Sequence, residues 1–145
     1  DKCNYVKIKQ QRYCSIDNYS YICGNKTAVI NKAMSEIEKY NRLIDALKAK
    51  AAEILPKGSR LALYGSRARG DARPDSDWDL HILIPGQENM PWSLWDVYAW
   101  PFELIGLNLN EIVNPRLYSV ADWLKRSFLP FYKNVEKDAV IIFQN

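Results

Sequence analysis

Two short strand-like runs, Leu61-Ala62-Leu63-Tyr64 and Asp77 through Ile84, flank a loop that opens with Gly65-Ser66 and ends at Asp77-x-Asp79. Short apolar runs bounded by turn residues read as buried strands. On the second strand the two-residue period puts Asp77, Asp79 and His81 on one face and Trp78, Leu80 and Ile82 on the other. Two carboxylates on one face repel by about 4 kcal/mol at about 4 Å and an effective dielectric of about 20. A fold tolerates this only with solvent, an arginine, a shared proton or a cation beside them, and Mg²⁺ takes such oxygen ligands readily. The glycine turn lets backbone N–H groups approach an anion. Ser66 can cap the next turn or donate to a phosphate oxygen, and Arg67 and Arg69 offer planar donors.

Around this centre the pattern alternates helix and strand. Ser35-Glu36-Ile37-Glu38 fits a capping box. Ile37, Tyr40, Ile44, Leu47, Ala51 and Ile54 then form one apolar stripe, ended by Pro56-Lys57-Gly58. Ser93–Leu107 reads as a helix that Pro101 kinks or splits, with Leu94, Val97, Tyr98, Phe102 and Ile105 on one side. Glu111–Tyr118 reads as a third strand, marked as an edge by Pro115. A short helix starts at Ser119-x-x-Asp122, another spans Pro130–Lys137, and Val140–Phe143 makes a last strand. The fold class expected is α/β or α+β, a small mixed sheet flanked by helices.

Charge is uneven. Residues 1–33 hold six Lys or Arg and two Asp, whereas residues 34–145 hold fourteen Lys or Arg and fifteen Asp or Glu. Beyond the first segment there is no general nucleic-acid footprint; basic residues gather at Arg67, Arg69 and Arg73. Cys3, Cys14 and Cys23 are odd in number and lack a C-x-x-C pair, which points to a reducing cytoplasm rather than a disulfide scaffold. No apolar run approaches a membrane span. Two readings of residues 1–33 stand open: an extension upstream of a start at Met34, or an arm that packs on a domain spanning 34–145.

The runs Leu63-Tyr64-Gly65-Ser66-Arg67-Ala68-Arg69-Gly70 and Ser76-Asp77-Trp78-Asp79-Leu80 together resemble the DNA polymerase β-like nucleotidyltransferase superfamily. More narrowly, the chain looks like its small stand-alone members, the minimal nucleotidyltransferases. The resemblance implies transfer of a nucleoside monophosphate, AMP foremost, from a triphosphate to an acceptor hydroxyl. It implies that Gly65 and Ser66 hold the triphosphate and that Asp77 and Asp79 hold Mg²⁺; Arg67 and Arg69 are the nucleotide-binding candidates beside them, at least one pointing inward, or else exposed and paired with Asp71 or Asp75. A third carboxylate from a later strand binds a second ion and helps deprotonate the acceptor. Short members of the family also accompany a helical HEPN-type partner (higher eukaryote and prokaryote nucleotide-binding), as the antitoxin of a toxin–antitoxin pair.

The third position is where this chain departs from the family. Glu111 is the only carboxylate on the third strand and is the expected third metal and catalytic residue. Counting back from the Ser119 helix start places the family's acid nearer Asn114. Glu111 and Asn114 have opposite parity, so one strand cannot aim both at the site without a bulge. An active transferase and a weak or inactive nucleotide-binding module both follow. The second would dock a partner through the aromatic residues 92–102. A basic-arm RNA binder is a third reading. His81 and the cluster Trp92, Trp95, Tyr98 and Trp100 read as packing or partner surface before ligand contacts.

Overall fold

The computed structural model describes residues 26–145 apart from Gln87, with side chains from Ser35 onward. Two compact units divide the chain, residues 1–38 and 39–145. The three cysteines and most of the 1–33 segment lie outside the described residues. Among the described residues no helix is long and apolar enough to cross a membrane.

Helix α1 spans Lys26–Ile54. The capping box expected at Ser35 is therefore inside the helix. Nothing from Lys26 to Met34 is Gly or Pro, so no residue there stops the helix from extending toward the N-terminus. The buried stripe is also shifted from the expected one. Leu43, Leu47, Ala51 and Leu55 are buried and Tyr40, Ile44 and Ile54 pack at their edge, while Ile37 is exposed.

Strands β1 (Arg60–Tyr64), β2 (Trp78–Ile84), β3 (Val113–Ser119) and β4 (Val140–Gln144) form one mixed sheet in the order β3-β2-β1-β4. β1 is antiparallel to β2 and β4, and β3 is parallel to β2. As an edge strand, β3 accommodates Pro115, which lies opposite Leu80. Between β1 and β2 lies the short helix α2 (Gly65–Arg69). Between β2 and β3 lie α3 (Ser93–Tyr98) and α4 (Trp100–Asn108), with Pro101 in the first turn of α4, where its missing N–H has no helical partner to lose. Helices α5 (Val120–Lys125) and α6 (Pro130–Asp138) precede β4. Ser119 caps α5: its hydroxyl accepts the Asp122 N–H at 3.0 Å.

The sheet is covered on both faces, which is why β2 reads as a nearly continuous apolar run. On one face α1 and α4 bury Leu61, Leu63, Trp78, Leu80, Ile82 and Phe102 in the main core. On the other, α5 and α6 bring Trp123 and Val135 onto Leu83. Gly106 lets α4 approach β3 closely; a Cβ there would stand 2.6 Å from Val113 Cγ2 and 2.8 Å from the Glu111 carbonyl.

Candidate active site

The site begins where β1 ends. Tyr64 pairs with Asp79 across the antiparallel ladder, and the next residue, Gly65, adopts φ +76. That left-handed conformation turns the chain sharply from strand into α2. Gly65 also lies flat against the second aspartate: a Cβ on it would come within 2.5 Å of Asp79 Oδ2. The α2 turn is closed by the Gly70 and Asp71 N–H groups, which both donate to the Ser66 carbonyl.

Asp77 and Asp79 are joined by Asn114. In the parallel register Asn114 lies opposite Asp79. Its Nδ2 donates to Asp77 Oδ2 at 2.8 Å, and its side chain also favours the charged form of Asp79. Burial, and then the charge of Asp77, push the Asp79 carboxyl above its ordinary value. The Asn114 hydrogen bond and the charges of Arg116 and Arg69 oppose that shift. The two acids are thus near enough to feel each other, and a neutral amide occupies the strand position where a third acid was sought.

Glu111, the carboxylate expected as the third ligand, is held by Trp78, Lys39 and Arg67. Its carboxylate accepts from Trp78 Nε1 at 2.9 Å, pairs with Lys39, and lies 3.6 Å from the Arg67 guanidinium. Burial pushes its pKa up, but the Lys39 and Trp78 hydrogen bonds and the two cations outweigh this and hold it below the usual carboxylate range. Among the described residues no three His, Cys, Asp or Glu side chains form a metal-holding group. Glu111 lies ahead of β3, which starts at Val113 rather than at Glu111 as expected, and its carboxylate is drawn to Trp78, whose ring is buried in the main core.

Arg67 is likewise committed to the loop. Its Nε donates to the Ser76 carbonyl at 2.8 Å, a terminal nitrogen reaches the Pro74 carbonyl at 3.3 Å, and the guanidinium stacks 4.3 Å over the Trp78 ring. It holds the segment that delivers Asp77. Arg69 is nearly half exposed and pairs with Asp71 and Asp138 at 3.2 and 3.3 Å. Arg116 is a cation that the motif reading missed. It is exposed, and its charge acts on both Tyr64 and Asp79. Its position two residues after Asn114 places it on the same strand face and was the available signal.

His81 shares the Asp79 face but is fully buried. Trp123 packs on it at a centroid distance of 4.1 Å, with Tyr118 and Tyr64 at 5.6 and 6.4 Å. Burial, assisted by the charge of Arg60, lowers its pKa to about 4. Neither ring nitrogen has a hydrogen-bond partner among the described residues. It is a neutral core residue.

The nucleotidyltransferase-domain family profile matches residues 33–142. The chain belongs to the nucleotidyltransferase-domain family. Among solved structures, this nucleotidyltransferase domain is similar to one described as a toxin–antitoxin with AMP-PNP, with a TM-score of 0.43 and 16% identity over 74% of this chain and 73% of that one. It is also similar to a protein from Sulfolobus solfataricus provisionally described as a nucleotidyltransferase, with a TM-score of 0.45 and 20% identity over 75% of this chain and 86% of that one. No curated protein matches the sequence.

Proposed function

We propose that this nucleotidyltransferase domain binds a nucleoside triphosphate with a divalent cation, Mg²⁺ foremost. It transfers the nucleoside monophosphate, AMP by the family resemblance, slowly to an acceptor hydroxyl. The carrying observation is the convergence of the Gly65 bend with Asp79, while Asn114 ties Asp77 to the same place. The donor set fits one hard cation: two carboxylates, with water completing its oxygen shell. Asp77 and Asp79 would hold it. Once bound, it would neutralise phosphate charge and polarise the phosphorus under attack. The expected pair of ions needs a third carboxylate, and Asn114 supplies none.

In the transfer, the acceptor oxygen bonds to the α-phosphorus, the bond to the β-phosphate oxygen breaks, and pyrophosphate leaves. Gly65 keeps the approach to Asp79 free of a side chain. Ser66 sits at the first turn after the bend, where its hydroxyl can donate to phosphate. Arg69 and Arg116 are the cations near Asp79 with exposed side chains, so they take the charge-neutralising part that Arg67 cannot. Asn114 is a neutral amide and takes no proton, so the acceptor proton leaves to solvent, and that slows the step. The acceptor the resemblance implies is a helical HEPN-type protein.

Asn114 also favours a second reading, a domain that binds nucleotide and partner without turnover. One experiment separates the two: incubate the domain with ATP, Mg²⁺ and a helical HEPN-type protein encoded beside it, then weigh that protein. A gain of one nucleotidyl mass, absent in Asp77→Asn plus Asp79→Asn, supports transfer. Magnesium-dependent ATP binding with no mass gain supports the second reading.

A further inference from the structure

The outer face of α3 and α4 presents large apolar side chains that the domain's own core leaves uncovered. Phe102, Ile105, Gly106 and Leu109 take the inner side of α4. Trp100, Leu104 and Leu107 share the outer side at helical spacing, and Leu107 is 63% exposed. On the α3 side Trp92, 78% exposed, stacks on Trp95 with ring centroids 5.9 Å apart, and Trp95 reaches Trp100 at 6.0 Å. A helix that is apolar all round is normally covered all round. A contiguous exposed apolar patch with a polar rim marks an interaction surface.

The charged side chains of this segment have one sign. Asp96 lies between Trp92 and Trp100 at four-residue spacing, and Glu103 adjoins Leu104 and Leu107. Among the described residues neither acid is in an ion pair. No Lys or Arg occurs from Pro74 through Pro115.

We infer that this face docks a basic amphipathic helix of another protein. The partner's apolar stripe lies on Trp100, Leu104 and Leu107, and its flanking Lys or Arg side chains meet Asp96, Glu103 and the tryptophan rings. A second copy presenting the same face would set these acids against one another with no cation between them. Residues 124–137 do expose cations, Arg126, Lys133 and Lys137, together with Leu124 and Phe128, while Lys125 there is paired with Glu88. That surface would meet the acidic face only head to tail, a contact that strings copies together without closing. The inference stands independently of the nucleotide reading.

The test titrates the full chain with two synthetic helices that share one leucine stripe and carry either lysine or glutamate on the polar face. Binding is read by tryptophan fluorescence, and oligomeric state by sedimentation. The lysine helix binds and the glutamate helix does not, and high salt weakens the complex about tenfold. Trp100→Ser plus Leu107→Ser weakens it by at least about tenfold without lowering the melting temperature. Asp96→Lys plus Glu103→Lys reverses the preference between the helices. No binding to either helix, equal binding to both, indifference to these variants, or self-assembly that buries the tryptophans without peptide each overturns the inference. None of these readouts uses nucleotide, so failure here and failure of the nucleotide site are separate results.

Discussion

Gly65 and Asp79 occupy one another's space so closely that a single methyl on Gly65 would stand 2.5 Å from Asp79 Oδ2. The positive φ of Gly65 adds to this, since a non-glycine residue there is strained whatever room it has. Gly65→Ala is expected to cost about 1–2 kcal/mol of stability and to push the Asp79 carboxylate out of place. Thermal melting reads the first effect. Loss of Mg²⁺-dependent binding of a fluorescent ATP analogue reads the second. A variant that melts low but binds ATP normally would show that Asp79 does not need its position against the bend.

Asn114→Asp converts the amide between the two aspartates into a third carboxylate. Without metal, like charges lower the melting temperature by a few degrees. With Mn²⁺ the variant binds more tightly and gains a second equivalent by calorimetry, and transfer rises by about tenfold or more. Unchanged metal stoichiometry would mean that this strand position does not face the metal site.

Glu111→Gln is expected to separate structure from chemistry. The variant keeps an acceptor for Trp78 but loses its charge pairing with Lys39 and Arg67. Stability falls by about 1–2 kcal/mol, while divalent-ion affinity holds. A loss of Mn²⁺ affinity with little change in melting would place Glu111 among the ligands after all.

His81 predicts an acid-side loss of stability. Its folded pKa of about 4 lies below the ordinary histidine value of 6.5, so between these pH values the unfolded chain takes up a proton that the folded one refuses. Stability therefore declines as pH falls through that window, by up to about 3 kcal/mol in all. His81→Leu removes both unpartnered ring nitrogens and is expected to flatten the decline. Urea unfolding at several pH values checks this, and an identical slope in the variant would assign the pH dependence to another group.

Much of this architecture was legible because its signals are local. Pro101 splits the α3–α4 stretch, Ser119 caps α5, and the Asp-x-Asp strand follows the Gly-Ser bend, each through chemistry confined to a few residues. The misreadings arose where a choice depends on distant partners. A capping box at Ser35 looks the same whether the helix starts there or runs through from Lys26. Strand parity set Glu111 against Asn114, and only the β2–β3 register shows which strand residue lies opposite Asp79, namely Asn114. Arg67 looked like a phosphate ligand because nothing local reveals that Trp78 and the Ser76 carbonyl claim its guanidinium.

The most direct measurement is calorimetric titration of ATP into the wild-type chain and into Asp77→Asn plus Asp79→Asn, each in Mg²⁺ and in EDTA. Wild type should bind in Mg²⁺ and lose at least about tenfold in affinity in EDTA, and the double variant should bind equally weakly in both. Equal affinity for wild type and variant in Mg²⁺ would contradict a nucleotide site built on the two aspartates.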